Sequence, residues 1–199
     1  MINHKIPNQD LIDVYTDTLS QSSKMNPGTT TKHFTKEIIK YLFERTPESF
    51  EGKNIIVENS DTVSSFVNWS KSGKTCLLNM ASYKRPGGGV DRGARAQEEC
   101  LFRCSNLSNS ISTDFYPLED DSCLYTKNAT FYKDFKYNYI EPIIGDVMTI
   151  AAINLNSEHP FYQHQKDSPY KETTLEKIRL MLTIPIKNGV DNLILGSWG

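Results

Sequence analysis

The stretch TCLLNMASYKRPGGGVDRGARAQEEC, Thr75 to Cys100, decides how this chain folds. TCLLNM is a short, largely apolar run, which predicts a buried strand. Gly87, Gly88 and Gly89 follow, then a spacer of seven residues, then Gln97-Glu98-Glu99. Ala96, Cys100, Leu101, Cys104 and Leu107 keep a helical period, so a helix starts at the glutamates. A strand, a glycine-rich turn and a helix are parts of an α/β sheet, whose ligands sit at the carboxyl ends of strands.

The residue types suggest chemistry. Glycines let a backbone approach a ligand closely, and the free N–H groups of such a loop bind anions. Alone, the triplet reads equally well as a flexible turn. Acidic residues near a helix start gain about 0.3–1 kcal/mol each from the helix dipole. Glu99 could also pair with Arg103 one turn on. A solvated helix start is therefore the bland reading. Adjacent helix positions point about 100° apart, so Glu98 and Glu99 do not make the opposed pair of a glycosidase. In a site, one would move protons and the other would bind. A glutamate sealed beside substrate would have its pKa raised, as suits a general acid.

Outward from this segment, Leu11, Ile12, Val14, Tyr15 and Leu19 are helically spaced. So are Phe34, Ile38, Ile39, Tyr41, Leu42 and Phe43, after a break at Met25-Asn26-Pro27-Gly28. Asn54 to Val57 reads as a short apolar strand. Ser60 is the expected N-cap of a helix carrying Val63, Phe66, Val67 and Trp69 and ending near Gly73. Leu124 to Phe135 reads as strands with a turn near Lys127-Asn128. Val147 to Ile153 is a further buried strand, and Leu175 to Ile186 a helix that Pro185 kinks or ends. Val190 to Leu195 is the last strand and runs into Gly196-Ser197-Trp198-Gly199. The expectation is an α/β sheet with helices on both faces. A helical extension over 1–50 would pack on the core of 51–199 within one domain.

Composition excludes several classes. The 199 residues suffice for one core, and 38% hydrophobic with 23% charged residues is ordinary for a globular protein. The net charge of -2 gives no field for direct DNA binding, so a phosphate-bearing ligand needs a local site. No apolar run reaches the ~18 residues of a membrane helix. MINHKIPNQD lacks the apolar stretch of a signal peptide. Four scattered cysteines read as reduced thiols inside a cell, cytoplasmic or nuclear. A monomer is expected.

The glycine triplet, the spacer of seven and Gln-Glu-Glu resemble the signature of poly(ADP-ribose) glycohydrolases, above all the compact bacterial type. Leu78-Asn79-Met80-Ala81-Ser82 resembles the family's Asn-Phe-Ala-Ser. Cys100, Leu101 and Arg103 continue the helix as family members do, and Leu124-Tyr125 with Phe131 to Asp134 resembles its strand pair. Asn192 to Gly199 resembles the start of a second phosphate loop. The likeness spans roughly Ile55 to Gly199.

The resemblance implies a macrodomain-like three-layer α/β/α fold with a mixed central sheet and an N-terminal helical extension. It implies cleavage of ribose–ribose bonds of poly(ADP-ribose), with ADP-ribosylated proteins as carriers, in reversal of ADP-ribosylation and in the DNA damage response. Gly87, Gly88 and Gly89 would lie against the distal ribose and diphosphate. Glu99 would be the acid/base, Glu98 would bind the neighbouring ribose, Gln97 would help place the loop, and Asn79 would bind the distal ribose. Ser197, Trp198 and Gly199 would begin the other side of the diphosphate grip. The substrate's own diphosphate would stabilise the transition state, so neither metal nor cofactor is implied. Two departures stand out. Thr149 to Asn154 replaces the family's Thr-Ala-Pro-Ala-Pro-Asn, and the second loop breaks off at Gly199, giving a C-terminally shortened core. A non-catalytic ADP-ribose reader is accordingly the alternative expectation.

Other features read more simply. Cys100 and Cys104 share a helix face, but no partner ligand is near in sequence, so they read as core. His159 and His164 lie in a polar loop. Lys71 to Lys74 lacks the spacing of a P-loop and reads as a turn. Glu119-Asp120-Asp121 reads as a solvated loop. Tyr83, Phe131 and Tyr132 read as core or as a nucleotide platform.

Overall fold

The computed structural model describes residues 6–24, 28–35, 37–40, 54–153 and 170–198. Five strands form one mixed sheet in the order β1-β3-β4-β2-β5. They are β1 (Thr30–Phe34), β2 (Thr75–Met80), β3 (Cys123–Lys133), β4 (Tyr139–Ile150) and β5 (Asn192–Ile194). β1, β3 and β4 are antiparallel, and β2 runs parallel to both β4 and β5. β2 is therefore an inner strand, as its buried TCLLNM run predicts.

Helices cover both faces. On one face lie α1 (Asn8–Ser22), α2 (Thr62–Trp69), α3 (Gln97–Cys104) and the short α4 (Leu107–Ser110). Their apolar sides close a core around Phe66, Leu77, Leu101, Phe131 and Val147. On the other face α5 (Tyr170–Lys187) buries Leu180, Met181 and Ile184 against Cys76, Leu78, Met148 and Ile150. These three layers and the mixed sheet are the architecture expected. Pro185 sits in the last turn of α5, which runs on to Lys187.

Several local expectations need correction. Thr30 to Phe34 is an edge strand, so Phe34 ends a strand rather than opening a helix; residues 37–40 are helical. Paired threonines suit a pleated edge better than a helix. Asn54 to Val57 is not a strand. Ile55 and Val57 are 93% and 94% exposed, and an apolar run without a neighbouring strand gains no ladder. The N-cap of α2 is Asp61, whose carboxylate accepts from Ser64 N at 2.9 Å, one residue beyond Ser60. α2 ends at Trp69, before Gly73.

Lys127-Asn128 is not a turn but an irregularity inside the continuous β3, with Asn128 at φ 56°. The Asp146 carboxylate pins it by accepting from Asn128 N at 3.1 Å. The turn lies at Asp134 to Asn138 instead. β4 begins at Tyr139, before the apolar run that marked it, because its first half is largely exposed. The Lys71 to Lys74 turn is observed, closed by Asp191, which accepts from Lys74 N at 2.8 Å. Tyr41, Leu42, Phe43, Met25-Asn26-Pro27, His159 and His164 lie outside the described residues. No described helix is long and apolar enough to cross a membrane.

Candidate active site

β2 delivers Asn79 to its carboxyl end, and the chain then turns through the glycines into α3. Gly87 and Gly88 take left-handed φ values of 71° and 53°. A Cβ at Gly88 would stand 2.5 Å from Glu99 Oε1 and 3.1 Å from Glu98 Oε2. At Gly87 it would meet the Phe102 ring at 2.7 Å. Here glycine is required by conformation and by contact together. The spacer docks on α1, where the fully buried Arg103 donates to the carbonyls of Leu11, Val90 and Ala94. Arg103 thus does not pair with Glu99.

Both glutamates are buried, at 3% and 6% exposure, which removes the solvated-helix-start reading. Glu98 accepts from Ser82 N at 2.7 Å, Gly87 N at 3.2 Å and Asn79 Nδ2 at 3.3 Å. Burial pushes its carboxyl up to about 7, against the pull of those donors. Glu99 is held through one oxygen, Oε1, which accepts from Gly89 N at 2.8 Å. Its other oxygen, Oε2, has no hydrogen-bond partner. Adjacent on one helix, the two carboxylates serve different surroundings.

The glycine loop differs from the sequence expectation. Its N–H groups are not free for an anion. Gly87 N and Gly89 N donate to the glutamates, and Gly88 N to Arg85 O. The loop acts on its carboxylates, and its lack of side chains leaves room beside them.

Gln97 bonds to β2 rather than to the glycine loop. Its Oε1 accepts from Met80 N at 2.9 Å and its Nε2 donates to Leu78 O at 2.6 Å. Asn79 is fully buried, and Nδ2 also reaches Thr149 Oγ1 at 3.3 Å, while Oδ1 is unpartnered. Asn79, Gly87 to Gly89 and Gln97 to Glu99 are therefore one constellation. Ser197 and Trp198 share no hydrogen bond with it among the described residues. Ser197 is exposed, and Trp198 Nε1 donates at 3.5 Å to the carbonyl of Ile150, the last residue of β4, which also accepts from Ala81 N. Gly199 lies outside the described residues.

An open cleft of about 550 Å³ borders Glu99, Gly88 and Gly89. Lys84, Arg85 and Arg92 line it too, and the sequence reading passed over all three. KRP directly before the glycines was the available signal. Ser82 and Thr149 were also missed; one acts through a backbone N–H and the other through the fold.

Of the remaining candidates, Phe131 and Tyr132 are core. Phe131 packs on Phe66 with centroids 4.7 Å apart, and the Tyr132 hydroxyl hydrogen-bonds Ser22. Tyr83 packs at the edge of the same core. Cys100 and Cys104 are buried and free, and no metal-holding group of His, Cys, Asp or Glu occurs among the described residues. Asp120 is not simply solvated: it lies 3.6 Å from the buried Lys177 Nζ.

Comparison with solved structures finds the same fold in known proteins. No curated protein matches the chain. Among solved structures, a poly(ADP-ribose) glycohydrolase from Thermomonospora curvata is 20% identical with a TM-score of 0.81, over 96% of this chain and 80% of that one. The same enzyme bound to the inhibitor ADP-HPD gives 21% and 0.81, with the same coverage. The enzyme from Deinococcus radiodurans in complex with ADP-ribose gives 25% and 0.73, over 89% of this chain and 75% of that one. The family model of the microbial-type PARG catalytic domain matches residues 12–135. With more than half of its length under that model and its signature residues gathered at one strand end, this chain belongs to the microbial-type PARG catalytic-domain family.

Proposed function

We propose that this glycohydrolase releases ADP-ribose from poly(ADP-ribose) with Glu99 as the acid/base and Glu98 as the group that binds and orients ribose. The observation that carries the assignment is the unequal partnering of the two carboxylates. Both Glu98 oxygens accept hydrogen bonds from donors that hold it in place. Glu99 is anchored through Oε1, keeps Oε2 unpartnered and borders the open cleft. A group that must give and then take a proton needs such a free oxygen.

In the first half-reaction, protonated Glu99 gives its proton to the bridging oxygen as the C1″–O bond breaks. The leaving ribose departs as a free hydroxyl, and C1″ gains oxocarbenium character. In the second, the Glu99 carboxylate takes a proton from water as that water bonds to C1″. The sum is addition of one water across the bond, and Glu99 returns to its starting state. The raised Glu98 carboxyl is a hydrogen-bonding partner for sugar hydroxyls in either protonation state. Asn79 Oδ1, buried and unpartnered, is a further acceptor for them.

ADP-ribosylated proteins are the proposed carriers, in reversal of ADP-ribosylation as part of the DNA damage response, and a monomer is the proposed working form. Four buried free thiols support an intracellular setting.

The test is turnover of labelled poly(ADP-ribose) beside calorimetry with ADP-ribose. Glu99→Gln should lower kcat about 10²–10⁴-fold and leave ADP-ribose affinity nearly intact. Undiminished turnover in that variant defeats the assignment. Tight ADP-ribose binding by the wild type without product would mark a reader instead.

A further inference from the structure

We propose that Lys84, Arg85 and Arg92 form a subsite for the diphosphate on the leaving side of the scissile bond. The proposal rests on the hydrolase reading above and adds the part of the polymer that the enzyme grips as it departs.

Three observations carry it. The first is charge: the chain as a whole is net negative, yet three cations line one cleft beside Glu99. The second is geometry. The point where a Gly89 Cβ would stand is 3.7 Å from both Arg92 Nη2 and Glu99 Oε1, so guanidinium and carboxylate are near neighbours, with Ala94 Cβ at 2.8 Å filling the point itself. The third is position: Glu99, anchored by Gly89 N, lines the same cleft as the three cations.

The cleft is the open side of the site, whereas Asn79 and Glu98 lie on its closed side. A polymer too long to be enclosed must run out through the opening. In poly(ADP-ribose) the leaving hydroxyl is the 2′-OH of an adenosine ribose, and its 5′ carbon carries the next diphosphate. One ribose beyond Glu99, the chain therefore presents a dianion to the three cations. Arginine meets phosphate oxygens with paired N–H groups and lysine with a compact charge. Arg85 is braced by Asp91, with Nη2 to Oδ1 at 2.7 Å, which fixes its approach. Asp91 and Glu99 are the acidic side chains beside the cations; Asp91 pairs with Arg85, and Glu99 is the group that enters the reaction protonated. Surface cations of this kind act in a salt-dependent way.

The test compares two substrates with the same scissile bond. One is the ADP-ribose dimer, whose leaving group bears a diphosphate. The other is the dimer trimmed so that adenosine is the leaving group. Wild type should prefer the first about ten- to a hundredfold in kcat/KM, as charged hydrogen bonds to one dianion would give. High salt should erode that preference. In Lys84→Ala/Arg92→Ala the ratio should collapse toward one. An unchanged ratio in the double variant overturns the subsite, and so does a wild-type ratio near one. Affinities of both dimers, measured by calorimetry in Glu99→Gln, provide a readout without turnover. If wild type cleaves neither dimer, the hydrolase reading fails, and the subsite is then judged by those affinities. A preference for the diphosphate-bearing dimer that the cation removals abolish upholds it; equal affinities overturn it.

Discussion

Replacing Gly88 by alanine tests whether the glycine loop sets the positions of the two glutamates. Gly88 has φ 53°, where an L-residue costs about 1–2 kcal/mol. The new Cβ would start 2.5 Å from Glu99 Oε1, so that carboxylate must retreat by about 1 Å to reach ordinary contact. Glu98 Oε2, at 3.1 Å, must give less. Carboxylate ends can swing, so the fold should survive with a melting temperature lower by about 2–8 °C, at 2–4 °C per kcal/mol for a chain of this size. Catalysis should not survive as well, because a 1 Å misplacement at a reacting group costs about 10²-fold. Gly189 provides the control. Its φ is 70° and no atom lies within 4 Å of a Cβ there. Gly189→Ala should therefore show a similar loss of stability and full activity. Release of ADP-ribose from labelled polymer, with melting curves on both variants, measures the two effects. Gly88→Ala turning over within threefold of wild type would refute the reasoning, as would an equal activity loss in Gly189→Ala.

Two further outcomes concern stability. Folding raises the Glu98 carboxyl from its ordinary 4.5 to about 7, so the folded state holds that proton more tightly than the unfolded chain. Glu98 then supports the fold below pH 4.5, and that support fades by about 3 kcal/mol as pH rises through 7. Comparing the melting of wild type and Glu98→Gln from pH 4.5 to 8 should show the difference changing by that amount; parallel curves would contradict it. Gly145→Ala would place a Cβ 2.3 Å from Phe66 Cε2 and 2.9 Å from Thr75 O, a backbone atom that cannot swing away. Overpacking of about 1–3 kcal/mol should appear as a lower denaturation midpoint with an unchanged slope.

The parts of the molecule written in continuous apolar residues were legible in sequence. β2 and the second half of β4 announce themselves because both faces are covered. The glycine triplet and Gln97 to Glu99 could be placed because backbone geometry constrains residue type there. β1 was not legible: Thr-Thr-Lys-His-Phe buries a single residue and owes its state to pairing with β3. The irregularity at Asn128 depends on Asp146, distant in sequence. At the site, the resemblance gave the two glutamates different roles, but the sequence did not show what makes their surroundings differ. That difference arises from where Ser82 N, Gly87 N and Gly89 N point, and backbone donors carry no residue-type signal. The cations of the cleft were visible as KRP but lacked meaning until the fold set Arg92 beside them.

The Gln97 amide has one more consequence. Lys74 O bonds toward β5, accepting from Asn192 N, and residues on a strand alternate in direction. Leu78 and Met80 therefore also turn toward β5, whose pairing with β2 stops at Leu77 opposite Ile194. In the next positions along that edge stands the Gln97 side chain, accepting from Met80 and donating to Leu78 as a strand's peptide unit would. It impersonates a neighbour and so stops the real one. The chain after Ile194 adds no further rung to β2, although Gly196 stays against Met80 and Trp198 reaches Ile150 O. A single amide thus stands in for a strand at this edge, and it ties the start of the helix that carries Glu98 and Glu99 to the strand that carries Asn79.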